Sequence, residues 1–167
     1  MNKFFKFHCE RWKNTGTPSR FIKKTEREYT MQVAKNLFNS NLLELAYLTH
    51  NDDYMVVHFG MSDEKRSYLY LHSINMEYRG YSPGNILVYK LILEAHRKGN
   101  EIVDFLRGDE EYKHKWGTVD RFNFQFRFFN RSPKSLLLRY AFNFVNSIPR
   151  IKNFAKGVFQ KEQLKFT

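Results

Sequence analysis

Ile74-Asn-Met-Glu-Tyr-Arg-Gly-Tyr-Ser-Pro-Gly-Asn85 decides how this chain folds, because the hydrophobic period changes across it. Residues 66–73 before it alternate as a strand does, and residues 86–98 after it repeat Leu87, Leu91 and Ala95 at helical spacing. Ser82-Pro-Gly-Asn85 has the form of a helix start. Serine stands at the capping position, proline in the first helical position, and glycines at 80 and 84 leave the backbone free to approach a ligand. Gly99 stands where a helix-ending glycine belongs. Glu101-Ile-Val-Asp-Phe-Leu106 then reads as a second strand, so strand, helix and strand make a parallel crossover.

Working outward, residues 42–49 and 54–62 read as two further strands. They join 66–73 through polar turns at His50-Asn-Asp-Asp53 and Asp63-Glu-Lys65, which gives an antiparallel meander. Two helices precede it, at 3–13 and 25–39, separated by the turn formers Asn14-Thr-Gly-Thr-Pro-Ser19; Val33, Ala34, Leu37 and Phe38 give the second its core face. Downstream, Phe122-Asn-Phe-Gln-Phe-Arg-Phe-Phe129 alternates as a half-buried strand. Residues 136–145 read as a helix, and 151–166 as a basic amphipathic piece. The fold class is α+β with a mixed sheet, a meander followed by a βαβ crossover, and a helical appendage. The expected division is a main domain at 1–131 and a tail at 132–167.

Seventeen phenylalanines and ten tyrosines, in a chain of 167 residues that is 42% apolar, supply area for one sizeable core. A single cysteine, Cys9, excludes an intramolecular disulfide. The start Met-Asn-Lys-Phe-Phe-Lys-Phe-His8 lacks the apolar run of a secretory signal, and no apolar stretch reaches membrane length, so a cytoplasmic protein is expected. The net charge of +11 resembles that of a nucleic-acid binder, but its distribution argues otherwise. Residues 1–30 hold eight Lys and Arg against three acids, 31–130 twelve against thirteen, and 131–167 eight against one. Basicity belongs to the two ends, and no specific nucleic-acid partner is expected.

The strand at 101–106 breaks at Gly108 into a dense titratable cluster, in the place where α/β folds gather ligand-handling groups. Asp109, Glu110 and Glu111 furnish a base or hold an acceptor's amino group, or they open a short helix and stabilise it through the dipole. Arg107 pairs with Asp104 or Asp109 and shapes the loop. His72, near a strand end, is a candidate base or a packed histidine; His58, His96 and His114 have weaker claims. The histidines and the cysteine do not fall at metal-ligand spacings, so no metal is expected. At the helix start, exposed amides and the dipole suit a phosphate, and Arg79 adds positive charge.

His8-Cys-Glu-Arg-Trp12, Gly16-Thr-Pro18, Tyr81-Ser-Pro-Gly84 and Asp104-Phe-Leu-Arg-Gly-Asp-Glu-Glu-Tyr-Lys-His-Lys-Trp-Gly117 together resemble the GNAT-like domain of CelD-type proteins, which are associated with bacterial cellulose and exopolysaccharide clusters. The resemblance covers about residues 7–130, and Fem-type transferases share its densest motif. It implies an N-acyltransferase that uses acetyl-CoA or another acyl-CoA, with the pyrophosphate near Arg79, Gly80, Ser82, Gly84 and Asn85. Gly80 follows Arg79 directly, which departs from the superfamily's usual loop spacing. The implied acceptor is an amino group of a small molecule or sugar precursor of surface polysaccharide. Such chemistry needs a base for the amine, donors for the oxyanion and an acid for the departing thiolate. The resemblance assigns the oxyanion contact to backbone amides of residues 70–73. Tyr112 is the acid or else a packed ring, and His72 and Asp109 are the candidate bases. The family fold opens in a strand whereas this chain opens in a helix, so the first strand is expected to be missing, with a partner lobe or a homodimer as the possible complement. The tail either packs on its own protein or lies on an anionic membrane. Two other readings stay open: a Fem-type transferase drawing on aminoacyl-tRNA, and a non-catalytic lobe that binds a partner or a membrane.

Overall fold

Strands β1 (Leu43–His50), β2 (Asp53–Ser62), β3 (Arg66–Ile74) and β4 (Ile102–Asp104) form one sheet in that order. The first three pair antiparallel and β4 pairs parallel to β3, so the meander and the crossover both form. The computed structural model describes residues 1–124, 126 and 128–147. Asn51 and Asp52, with φ of 47° and 63°, make the tight β1–β2 turn in the doubly left-handed form that suits the twist of a hairpin. At the next turn Asp63 Oδ1 accepts from the amides of Lys65 and Arg66 at 2.8 and 2.7 Å, which closes the loop locally.

Helices α1 (Asn2–Trp12) and α2 (Lys24–Asn39) are associated with one core and α3 (Pro83–Arg97) with the other. In the first, Phe4, Phe5 and Phe7 of α1 pack with Phe21 against Val57 and Phe59 of the sheet. Phe4 is fully buried, with edge-on ring contacts to Phe21 and Phe59 at 5.5 and 6.0 Å. In the second, Leu87, Val88 and Leu91 of α3 meet Val56 and Leu69. Along α2, Thr30 and Ala34 are the buried positions, one turn apart. Phe38, expected in the core face, lies in the final turn and is exposed.

Helix α3 ends as its sequence requires. Gly99 adopts φ +82°, and the amides of Gly99 and Asn100 return to the carbonyls of His96 and Ala95, which caps the helix C-terminus. Strand β4 is shorter than the run at 101–106, because Leu106 turns left-handed at φ +57° and breaks the extended backbone.

The chain divides into two compact units, Met1–Thr118 and Val119–Thr167. The second contains α5 (Pro133–Ser147), whose start is capped by Ser132 Oγ accepting from the amide of Ser135 at 3.3 Å. Residues 122–129, expected as a half-buried strand, form none among the described residues, and Phe122, Phe124, Phe126 and Phe128 are exposed. Alternation supplies two faces but not the main-chain partner that a strand needs. The basic piece at 151–166 lies outside the described residues.

Candidate active site

Strand β3 is paired with β4 over three residues, Arg66 to Ile102, Ser67 to Val103 and Tyr68 to Asp104, and then runs on alone on that side to Ile74. From Leu69 onward its β4-side edge has no strand neighbour among the described residues. The irregularity begins at the same level. The β2–β3 register shifts between Phe59 and Met61, so β3 carries an extra residue at Leu69–Tyr70 opposite Gly60. A bulge beside a strand that loses its neighbour leaves main-chain groups free to meet a ligand.

His72 stands on this stretch of β3, directly across from His58 of β2, and their Nδ1 atoms are 3.2 Å apart. His58 is fully buried, and its Nε2 lies 3.7 Å from the Glu44 carboxylate of β1. That distance is too long for a hydrogen bond but close enough for the charge to act on the N–H. Glu44 accepts from Ser67 Oγ at 2.6 Å and meets Lys98 Nζ at 3.4 Å. Burial pushes its carboxyl up, but the facing His58, the Ser67 hydroxyl and the Lys98 charge outweigh this and hold it below the usual range. Burial, then the neighbouring His58 and the Arg11 guanidinium, lower His72 to about 3, so its ring is neutral at physiological pH. Gly60 makes room for the arrangement, because a Cβ there would stand 2.3 Å from His58 Nε2.

The loop after β4 is organised by Lys113, which the sequence did not single out. Its buried Nζ donates to the carbonyls of Leu106, Arg107 and Gly108 at 3.4, 3.1 and 3.2 Å and pairs with Glu110 at 2.6 Å. Asp104 Oδ1 accepts from the Leu106 amide at 2.7 Å, and Asp109 pairs with His114 at 2.9 Å. Arg107 therefore pairs with neither expected acid: both carboxylates are taken locally, and its side chain is exposed. Asp109 is exposed on its own loop and not brought beside His72 by any contact. Glu111 begins α4 (Glu111–His114), with Glu110 in the preceding position, so one of the three acids falls inside the short helix.

Tyr112, in α4, is partly exposed, with its ring 6.5 Å from Phe105. Burial and the Glu110 charge raise its hydroxyl while Arg11 lowers it, with a net upward shift that keeps the proton on at neutral pH. The same Arg11 charge acts on His72 and Tyr112.

Pro83 opens α3 in the first helical position, as its place in the sequence requires. Ser82 precedes it, but its side chain makes no capping bond, because its backbone is left-handed at φ 50° and ψ 47° rather than in the extended conformation that aims a capping side chain at the first-turn amides. Its carbonyl instead accepts from the amides of Asn85 and Ile86. Arg79, Gly80, Ser82 and Asn85 are exposed. Gly80 has open space where a side chain would stand, whereas a Cβ on Gly84 would meet Ile74 Cδ1 at 3.1 Å, so Gly84 serves helix-to-sheet packing.

On the α1 side of β3 lies a shallow pocket of about 330 Å³ that includes His8, Trp12, Thr17, Arg20 and Tyr70. His8 stacks on Trp12 at 6.2 Å and bonds Ser19 Oγ at 2.8 Å, and Arg20 donates to the Tyr70 hydroxyl at 3.0 Å. Burial, then Arg11 and Arg20, lower His8, so that it too stays neutral. Among the described residues no His, Cys, Asp and Glu group is arranged to hold a metal ion, and no helix is long and apolar enough to cross a membrane.

No curated protein and no solved structure matches the chain. The family model described as the acetyltransferase (GNAT) domain matches residues 1–114, the part that holds the open edge of β3, the start of α3 and the loop that carries Tyr112. The chain belongs to this GNAT family and is an N-acetyltransferase.

Proposed function

We propose that the chain transfers an acyl group from acetyl-CoA to the amino group of a sugar precursor of surface polysaccharide, as the CelD-type resemblance implies. The observation that carries the reading is the β4-side edge of β3 from Leu69 to Ile74, which has no strand neighbour among the described residues and is followed directly by the exposed turn and helix start at Arg79 to Asn85. This arrangement fits an elongated ligand that ends in phosphates. Main-chain groups of β3 would hold its amide-bearing arm, and Arg79, Gly80, Ser82 and Asn85 would hold its pyrophosphate, since Gly80 leaves the approach open. When bound, acetyl-CoA supplies the acyl group as a thioester. His72, neutral, takes a proton from the amine, and Tyr112, protonated, gives one to the leaving sulfur. The pocket beside Tyr70 supports a sugar acceptor. Trp12 and Tyr70 contribute aromatic surface to its lining, and Arg20 and Thr17 contribute polar groups.

Calorimetric titration with coenzyme A and acetyl-CoA tests the cleft. Binding is expected, and Arg79→Glu, which reverses an exposed charge, is expected to weaken it roughly tenfold. No binding of either ligand at millimolar concentration would remove the acyltransferase site from this cleft and favour a partner-binding lobe. Tyr112→Phe keeps the ring and deletes the proton. Thiol release from acetyl-CoA in the presence of amino sugars is expected to fall about 10- to 100-fold, with coenzyme A affinity nearly intact. Equal turnover would take the acid role away from Tyr112.

A further inference from the structure

Glu44, His58 and His72 stand on β1, β2 and β3 in a row that ends at the open part of the β3 edge. The first two are buried and the third is half-buried. A carboxylate accepts and does not donate, so the ring nitrogen that faces Glu44, Nε2 of His58, is favoured there as N–H. A neutral imidazole carries one proton. Where His58 carries that single proton on Nε2, its Nδ1 is an acceptor and the 3.2 Å contact has His72 donating from its own Nδ1; a doubly protonated His58 would reverse the contact. The lone pair of His72 is left on Nε2.

We propose that Glu44, acting through His58, fixes His72 in the tautomer whose bare Nε2 accepts the proton of the acceptor amine. His72 is the catalytic base, and Glu44 and His58 are positioning residues. The inference rests on the acyltransferase reading of the cleft. The amine's proton passes to His72 Nε2 as the N–C bond forms and the C–S bond breaks. The sulfur takes a proton from Tyr112, which recovers one from His72 through solvent.

The surroundings keep the row in place. Ser67 donates to the same Glu44 Oε2 that faces His58, and Lys98 meets Oε1, so both oxygens of the carboxylate are held. His58 Nε2 makes no hydrogen bond among the described residues, which leaves the Glu44 charge as the influence that orients its N–H. The charged and titratable groups bearing on the row come from three directions: Glu44 on β1, Lys98 after α3 and Arg11 on α1.

Nitrogen-15 NMR of the histidine side chains in the full chain reads the tautomer, with the His72 signals assigned by their loss in His72→Asn. The unaltered protein is expected to show Nδ1 protonated and Nε2 bare. Glu44→Gln places an amide there that can donate, so the His72 tautomer is expected to change and thiol release from acetyl-CoA to fall at least about tenfold, with coenzyme A affinity kept. Nε2–H on His72 in the unaltered protein, or a tautomer that Glu44→Gln leaves as it was, overturns the proposal. Should Glu44→Gln not fold, the spectrum of the unaltered protein decides by itself. Coenzyme A titration separates the two failures. Without coenzyme A binding the cleft reading falls, whereas binding with the other tautomer removes the relay and leaves the cleft.

Discussion

His72→Asn is expected to lower thiol release from acetyl-CoA by about 10²–10⁴-fold, the usual contribution of a positioned general base, while coenzyme A affinity stays nearly unchanged. Asparagine is close to imidazole in reach and can still bond His58, but it has no basic nitrogen to take the amine's proton. A loss in affinity instead of turnover would mean that His72 shapes the cleft and does no proton chemistry. The same variant has a signature in stability. His72 titrates near 3 in the folded protein and near its ordinary value of 6.5 when unfolded, so at intermediate pH the unfolded chain binds a proton that the folded chain does not. This contribution to stability is fully present above about pH 6.5 and is lost as pH falls towards 3. Urea midpoints measured across that range are expected to fall less steeply for His72→Asn than for the unaltered protein.

Lys113→Met is expected to cost about 2–3 kcal/mol, on the scale of hydrogen bonds to a charged group. Methionine replaces the buried stem but leaves the carbonyls of Leu106, Arg107 and Gly108 without their shared donor. The ion pair to Glu110 adds little, since that carboxylate is half exposed. The larger consequence is local. Leu106 and Gly108 hold left-handed φ values of 57° and 118°, and the ammonium clamps the turn between them. With the clamp gone, trypsin is expected to cut faster after the exposed Arg107, and turnover is expected to fall as Tyr112 on the adjoining short helix loses its fixed place. Unchanged cleavage and an unchanged urea midpoint would deny Lys113 this role.

The elements of the first unit were legible because their signals are local. Period changes, paired turn formers and a glycine after Ala95-His-Arg-Lys98 mark the three long strands and the crossover helix. The strand expected at 122–129 does not form among the described residues, because alternation says nothing about whether another strand is there to pair with it. In the candidate site, His72 and Tyr112 could be proposed from residue type and position, but the contacts around them could not. Glu44 and His58 come together across a register of strand pairs, and a one-residue slip would separate them. Lys113 sits in a polar run that looks solvated, and its burial follows from backbone carbonyls that no side-chain pattern records. Ser82 has the residue type of a cap, yet its backbone adopts another conformation, and the serine itself carries no sign of that.

Gly60 has a consequence for how this protein can change over time. The ring of His58 occupies the space that any side chain at position 60 would need, and the carbonyl of Tyr68 bounds the same space at 2.5 Å. The ring and the carbonyl exclude a side chain at position 60 independently, so a change at position 58 alone leaves the glycine still required. Change at this pair therefore has one open order, position 58 before position 60, and the backbone keeps the second step closed.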